Sequence, residues 1–477
     1  MRLVGGVYEG SSGHGTLRVA ASMKGVRAVF RALANENYIH TLWGPWARFE
    51  DRAPVSLSPM GGSPGELGRD IAAIVRREPG VEAVVVARSD AALLSGEEVP
   101  EIPLPENPET GGERRLIRCG WQTPEMGEHE AADLTLAELV RECAVPQERS
   151  PVPAVNVFGP PVLDPKAEAE VEELERLLRQ LGVEVNARVP LGASVEDLGR
   201  LTRAWANVVL YREIGESATR FLQERFGIPR ITTPMIGSAG TGAVLRAVGE
   251  ACSLGAERVR RVVFGELART AKLPWYARLQ TPQRLRGCRV AIFGDFTYAV
   301  GLGYALSREV GLEISWSGTY LGHLEHDFAF HAGTFTERTF VADDPDEVAL
   351  RVERTRPDLL IGTHLEREAA ERVGVTFLPL CPPAAVYPFV GLPLMGYRGA
   401  ATLADTLDGA MRRMRTPEAS LTPRDPVLEV TWSREALAGL EEIPPFLRGR
   451  ARRLAEERAR QLGEPRVTRK ILDETRF

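Results

Sequence analysis

Short apolar runs recur along this chain, each closed by a turn signal and followed by a stretch of helical periodicity. VEAVVVARS (81–89), PAVNVFGPP (153–161), WANVVLY (205–211), CRVAIFGD (288–295) and PDLLIGTH (357–364) are the clearest. Runs this short, apolar at successive positions, suit strands buried on both faces, as in a parallel sheet. Between them lie amphipathic segments such as AEAEVEELERLLRQLG (167–182), where Leu174, Leu177, Leu178 and Leu181 share one stripe. Strands alternating with helices predict repeated β–α–β units, and so an α/β fold of doubly wound, Rossmann-like domains.

A chain of 477 residues exceeds one ordinary core. Three such domains fit: residues 1–150, ending near the linker VPQERSPVP, then 151–286, then 287–415. Residues 416–426, within the Pro-rich RTPEASLTPRDP, read as a linker to a small helical C-terminal domain at 427–477. There a helix is expected to start at Ser433, followed by the hydrophobic EIPPFLRG and a basic helix. Residues 448–470 hold nine Arg or Lys against three Glu, which suits a solvated helix face or a docking surface.

Composition excludes several classes. A net charge of −6 argues against nucleic acid as the main partner. No window approaches a membrane-spanning apolar run, so no transmembrane segment is expected. The opening MRLVGGVYEG reads as a first strand and not as a signal peptide, which predicts a cytoplasmic location. Cys119, Cys143, Cys252, Cys288 and Cys381 are too widely spaced for a CxxC-type metal site or a disulfide framework. If the chain holds an iron–sulfur cluster, a partner must supply most of the sulfur.

Some motifs leave two readings open. GSSGHG (10–15) and GSAGTG (237–242) precede helices, and either present backbone N–H groups to an anion or are plain tight turns. Neither carries the Lys-Ser/Thr of a nucleotide-phosphate loop, so ATP hydrolysis is not expected of this chain. His323, His326 and His331 with Asp327 suit either a loop metal or a scattered surface group. Asp295 follows a strand, where α/β ligands bind, and also reads as a helix N-cap.

An ordered set of segments carries a resemblance over nearly the whole chain. VYEGSSGHGTLRVAASMKGV and EHEAADLTL (128–136) open it. VNVFGPPVL, LGVEVNARVPLGASVEDLGRL and NVVLYREIGESATRFLQERFGIPRITTPMIG follow, then LRGCRVAIFGDFTYAV, DLLIGTHLEREAAERVGV and PLMGYRGA. The tail WSREALAGLEEIPPFLRGRARRLAEERARQLG completes it. Together they resemble the nitrogenase-like, light-independent protochlorophyllide reductase family, and within it the B-type subunits.

The resemblance implies a homologous N-type partner subunit, in a heterotetramer, and a [4Fe–4S] cluster at their interface. In the family three Cys of the N subunit and one Asp of the B subunit hold that cluster. It implies a separate iron protein that uses ATP and Mg to deliver electrons, and reduction of a tetrapyrrole, protochlorophyllide. Glu36, in LANENYIH, falls at the ligating Asp and keeps a carboxylate for the cluster iron. Ser89 falls at a family Cys, where it would hydrogen-bond a sulfide or cap the next helix. Thr281 falls at the proposed proton-donor Asp, and Pro383 at a pocket His. The substrate contacts fall around Met411, Arg413, Met414 and Arg415, whose arginines would clamp a propionate or end a solvated helix. Thr281 and Pro383 leave open a different tetrapyrrole, or a non-catalytic scaffold or carrier that keeps the fold. A homodimer stays open beside the heterotetramer.

Overall fold

A computed structural model describes residues 7–34, 55–61, 65–108, 111–159, 167–271, 287–383, 391–413 and 431–443, and most of 448–475. Within them, three parallel sheets follow one another along the chain. The first contains β1 (Val26–Ala32), β2 (Val55–Pro59), β3 (Ala83–Arg88) and β4 (Arg115–Ile117), in the order β2-β1-β3-β4. The second repeats that order with β5 (Ala154–Phe158), β6 (Glu184–Val189), β7 (Ala206–Val209) and β8 (Arg230–Ile231), as β6-β5-β7-β8. The third has β9 (Arg289–Gly294), β10 (Glu313–Thr319), β11 (Thr339–Val341), β12 (Leu359–Gly362) and β13 (Thr376–Pro379), ordered β11-β10-β9-β12-β13. These are doubly wound orders, and each sheet has a switch point where the chain changes direction across it. The switch points lie between β1 and β3, β5 and β7, and β9 and β12.

The apolar runs of the sequence are β3, β5, β7, β9 and β12, all of them inner strands. Each is buried along nearly its whole length, because helices cover both faces of its sheet. Leu174, Leu177, Leu178 and Leu181 are fully buried on the helix Ala167–Leu181. One continuous apolar cluster includes side chains from all three sheets.

Helix α1 (Ser12–Ala21) lies against the helix Glu128–Cys143 at backbone contact distance. A Cβ on Gly15 would stand 1.9 Å from the Glu128 carbonyl oxygen, and one on Gly13 2.6 Å from that of Arg88. Only hydrogen fits at either place, so the glycines of GSSGHG are packing requirements. His14 closes a capping box with Ser11 at the same helix start.

The tail is a small unit. β14 (Thr431–Trp432) and β15 (Arg466–Val467) pair in parallel beside helices Arg434–Glu441 and Arg469–Glu474. Ser433 caps the first of these, its Oγ accepting from Ala436 N at 3.1 Å, at the helix start expected from the sequence. Ala436, Ala451, Ala455 and Ala459 pack with Val467, Ile471 and Leu472. Glu456 is fully buried, accepts from Trp432 Nε1 at 2.8 Å and pairs with Arg354 of the third unit. Arg452 and Arg469 form ion pairs with Glu456, Glu442 and Asp473, so part of the basic tail is neutralised within the fold.

Gly15→Ala is expected to cost on the order of 3 kcal/mol in chemical denaturation, as overpacking against a rigid backbone. Gly265→Ala, on the helix Ala256–Ala271 with nothing within 4 Å of its Cβ position, is expected to stabilise by about 0.5–1 kcal/mol.

Candidate functional site

In doubly wound sheets, ligands bind outside the carboxyl ends of the strands, at the switch point. At the switch point of the third sheet, Gly294–Asp295 leave β9 and Thr363–Glu366 leave β12. Asp295 caps the helix Phe296–Tyr304, its Oδ1 accepting from Tyr298 N at 2.9 Å. Tyr8, from the chain's N-terminal segment, enters the same place. Its ring stacks on Tyr320 at 5.2 Å and tilts against Phe293 at 5.1 Å, and its hydroxyl donates to Glu366 Oε1 at 2.6 Å. Glu366 Oε2 in turn accepts from Thr363 N at 2.7 Å and Thr363 Oγ1 at 2.9 Å. Burial raises the Glu366 carboxyl above its usual range, against those hydrogen bonds.

The first unit adds an ionic group. Glu9 Oε2 accepts from His129 N at 3.0 Å and lies 2.9 Å from His129 Nδ1. Glu128 accepts from Gly10 N at 2.6 Å and pairs with Arg18 at 3.0 Å. Burial opposes charge on both residues, and the partners prevail. Glu128 is held below the usual carboxylate range by Arg18 and His129, while Glu9 raises His129. The His129 ring tilts against Tyr320 at 5.7 Å. His323 is within electrostatic reach of Glu9 and His129, and desolvation pushes it down to about 4 although the residue keeps access to solvent.

The second unit closes the cluster from β7. Glu213 Oε2 accepts from Thr297 Oγ1 at 2.7 Å, and burial raises its carboxyl. Arg212 reaches Asp327 at 2.7 Å and His331 Nε2 at 2.9 Å, with its guanidinium 5.0 Å from the Phe296 ring. Asp133 accepts from Ser217 N with both oxygens at 3.1 Å, and burial pushes its carboxyl up to about 7. Glu170 takes the hydroxyls of both Tyr211 and Tyr298. The assembly gathers groups whose titration the fold displaces: burial raises the carboxyls of Glu366, Glu213 and Asp133, while Glu9 raises His129.

Of the residues singled out in the sequence, Glu36 and Thr281 lie outside the described residues, as do Met414 and Arg415. Met411 and Arg413 belong to the last turn of the helix Gly396–Arg413. Ser89 is buried and caps the helix Asp90–Leu94, its Oγ accepting from Ala92 N at 3.4 Å. At Pro383 the carbonyl lies 2.9 Å from His364 Nδ1, so an imidazole stands next to that position from a different strand end. GSAGTG presents its helix N-terminus to a carboxyl group of this chain: Glu309 accepts from Ser238 N at 2.9 Å and Ala239 N at 3.0 Å. Asp327 and His331 are held by Arg212, and no group of three His, Cys, Asp or Glu is placed for a metal among the described residues.

Sequence reasoning missed Tyr8, Glu9, His129, Glu213 and Glu366. Glu213 and Glu366 carried a positional signal, each two residues beyond the apolar runs WANVVLY and PDLLIGTH, whereas Tyr8, Glu9 and His129 carried none.

Residues 65–412 match the family of nitrogenase component 1 type oxidoreductases, and residues 432–476 match the proto-chlorophyllide reductase 57 kD subunit. The chain therefore belongs to the nitrogenase component 1 type oxidoreductases. Within that class it stands with the B subunits of light-independent protochlorophyllide reductase. It is 32% identical to that subunit from Heliobacterium modesticaldum, over 99% of this chain and 97% of the relative. To the subunit of the same name from Chlorobium limicola it is 30% identical, over 98% of each. The solved structure of nitrogenase Cp1 at pH 6.5 superposes with a TM-score of 0.66, covering 89% of this chain and 96% of that one. At 16% identity it speaks for the fold alone.

Two titrations test the cluster. Glu9→Gln is expected to lower the His129 pKa, followed by imidazole NMR, because burial is then opposed by Glu128 alone. Asp133 binds its proton more tightly folded than unfolded, so it removes stability as pH rises from the ordinary carboxylate range to about 7. Asp133→Asn is expected to flatten that decline in denaturation midpoints measured across this window.

Proposed function

We propose that this chain is the B-type subunit of a nitrogenase-like, ATP-dependent reductase of a tetrapyrrole, with protochlorophyllide as the leading substrate. The observation that carries this reading is the pairing of two matches in one chain. A component 1 type body spans residues 65–412, and a tail of the protochlorophyllide reductase type spans 432–476. Membership in the class implies iron–sulfur clusters and work with partner subunits. The finer reading is a [4Fe–4S] cluster shared with an N-type subunit that supplies three Cys, with Glu36 as the fourth ligand. A separate iron protein then uses ATP and Mg to deliver the electrons.

The described residues do not fit such a cluster by themselves. None of the five cysteines forms a disulfide, and burial pushes the Cys119 thiol up to about 12 and those of Cys143, Cys252 and Cys288 to about 11. Protonated, separated thiols are poor iron ligands, which supports thiolates from a partner. When bound, the cluster would supply one-electron chemistry.

This chain's own residues would handle protons and the substrate. The Thr281 hydroxyl would donate only through a relay, since it does not ionise near neutral pH. His364 offers beside Pro383 the ring nitrogen that position 383 lacks. Met411 and Met414 would contact the macrocycle, and Arg413 and Arg415 would grip a propionate. No helix among the described residues is long and apolar enough to cross a membrane. The proposed site of action is the cytoplasm.

Anaerobic co-purification with the N-type partner, followed by iron and sulfide analysis and low-temperature EPR, tests the reading. About four irons per heterodimer are expected, by the stoichiometry of one [4Fe–4S] centre. Glu36→Ala is expected to alter the EPR signal and lower protochlorophyllide reduction on the order of tenfold or more, with the complex intact. A stable complex without iron would instead favour a scaffold or carrier. A loaded complex inactive on protochlorophyllide would favour another tetrapyrrole.

A further inference from the structure

At the opposite edge of the third sheet, beneath the amino ends of β9 and β10, runs a groove of about 1100 Å³. Its far wall is the helix Pro345–Thr355, and the tail reaches its rim at Thr431. Four arginines line it: Arg289, Arg338, Arg351 and Arg354. Two are already matched, Arg289 with Asp358 at 3.5 Å and Arg354 with the buried Glu456. Arg338 and Arg351 make no ion pair among the described residues, although Glu313 and Glu337 stand exposed on the same rim.

Arg351 is held in place without being neutralised. Its guanidinium lies 4.1 Å from the centroid of Phe340 and 5.7 Å from that of Trp316, an aromatic platform that fixes the plane of the fork. The Trp316 ring is fully buried and anchored by its own hydrogen bond to Thr355 Oγ1 at 2.9 Å. Arg351 Nε is buried and has no hydrogen-bond partner. Burial disfavours its charge, Glu347 supports it, and Arg338 and Arg354 repel it. A preorganised guanidinium with an unsatisfied buried donor, beside other arginines, matches the demands of a multiply charged oxyanion.

We propose that this groove is a binding site for a phosphorylated small molecule, whose phosphoryl oxygens are gripped by Arg351 and Arg338. A groove of this volume has room for an organic group attached to the phosphate, with Phe335 and Trp316 in its wall. The site is separate from the carboxyl-edge cluster and does not depend on its chemistry. Its ligand would bridge the third sheet and the tail, the two bodies that Arg354 and Glu456 already join.

The test is isothermal titration of the full chain with pyrophosphate and with inorganic phosphate, at an ionic strength fixed by chloride. One saturable site is expected, weakened about tenfold or more in both Arg351→Gln and Arg338→Gln, and unchanged in the remote Arg69→Gln. Arg338 is exposed, so its variant keeps the fold even if Arg351→Gln unsettles the aromatic platform. Tighter binding of pyrophosphate than of inorganic phosphate supports the proposal; equal binding of the two marks free phosphate as the ligand and overturns it. Absence of saturable binding by either probe, or full binding by Arg338→Gln, overturns the proposal.

Discussion

The hydrogen bond from Tyr8 to Glu366 joins residues 358 apart and brings the N-terminal segment into the switch point of the last sheet. Much of the site depends on that insertion. With Tyr8 stacked on Tyr320, Glu9 is placed against His129, and Gly10 and Ser11 are brought to the start of the helix Glu128–Cys143. That helix packs along Arg212–Phe226, from which Arg212 and Glu213 reach Asp327 and Thr297 of the third unit. The three carboxyl edges are thus tied into one polar centre, and the acids there lose water together. The raised pKa values of Glu213, Glu366 and Asp133 are a product of that closure.

Much of the architecture was legible in the sequence, for a definite reason. Inner strands of a parallel sheet are buried on both faces, so β3, β5, β7, β9 and β12 appear as unbroken apolar runs. The edge strands β4, β8 and β11 carry no such mark. They are two or three residues long, partly exposed, and placed by neighbours distant in sequence. The leucine stripe on Ala167–Leu181 and the cap at Ser433 were readable because helix periodicity and capping are local.

The polar centre was not readable, because the pairs that join its three units are separated by 84 to 358 residues and its members look ordinary one at a time. The glycine-rich turns show the same limit. GSSGHG and GSAGTG looked alike, yet the first makes room for a neighbouring helix and the second receives Glu309, about 70 residues further on. Residue types narrowed the choice for these turns, and partners across the fold decided it; the Ser89 cap, by contrast, is local, made with Ala92 N three residues on.

The Tyr8–Glu366 contact also has a meaning in time. A ribosome adds about 5–20 residues per second, so Glu366 is synthesised on the order of 20–70 s after Tyr8. The helices α1 and Glu128–Cys143 can pair early, because both belong to the first part of the chain. Tyr8 must wait, an apolar ring without its slot, until the last sheet exists. During that interval the growing chain exposes a ring that the finished protein buries, so the docking of Tyr8 comes after the pairing of the helices beside it.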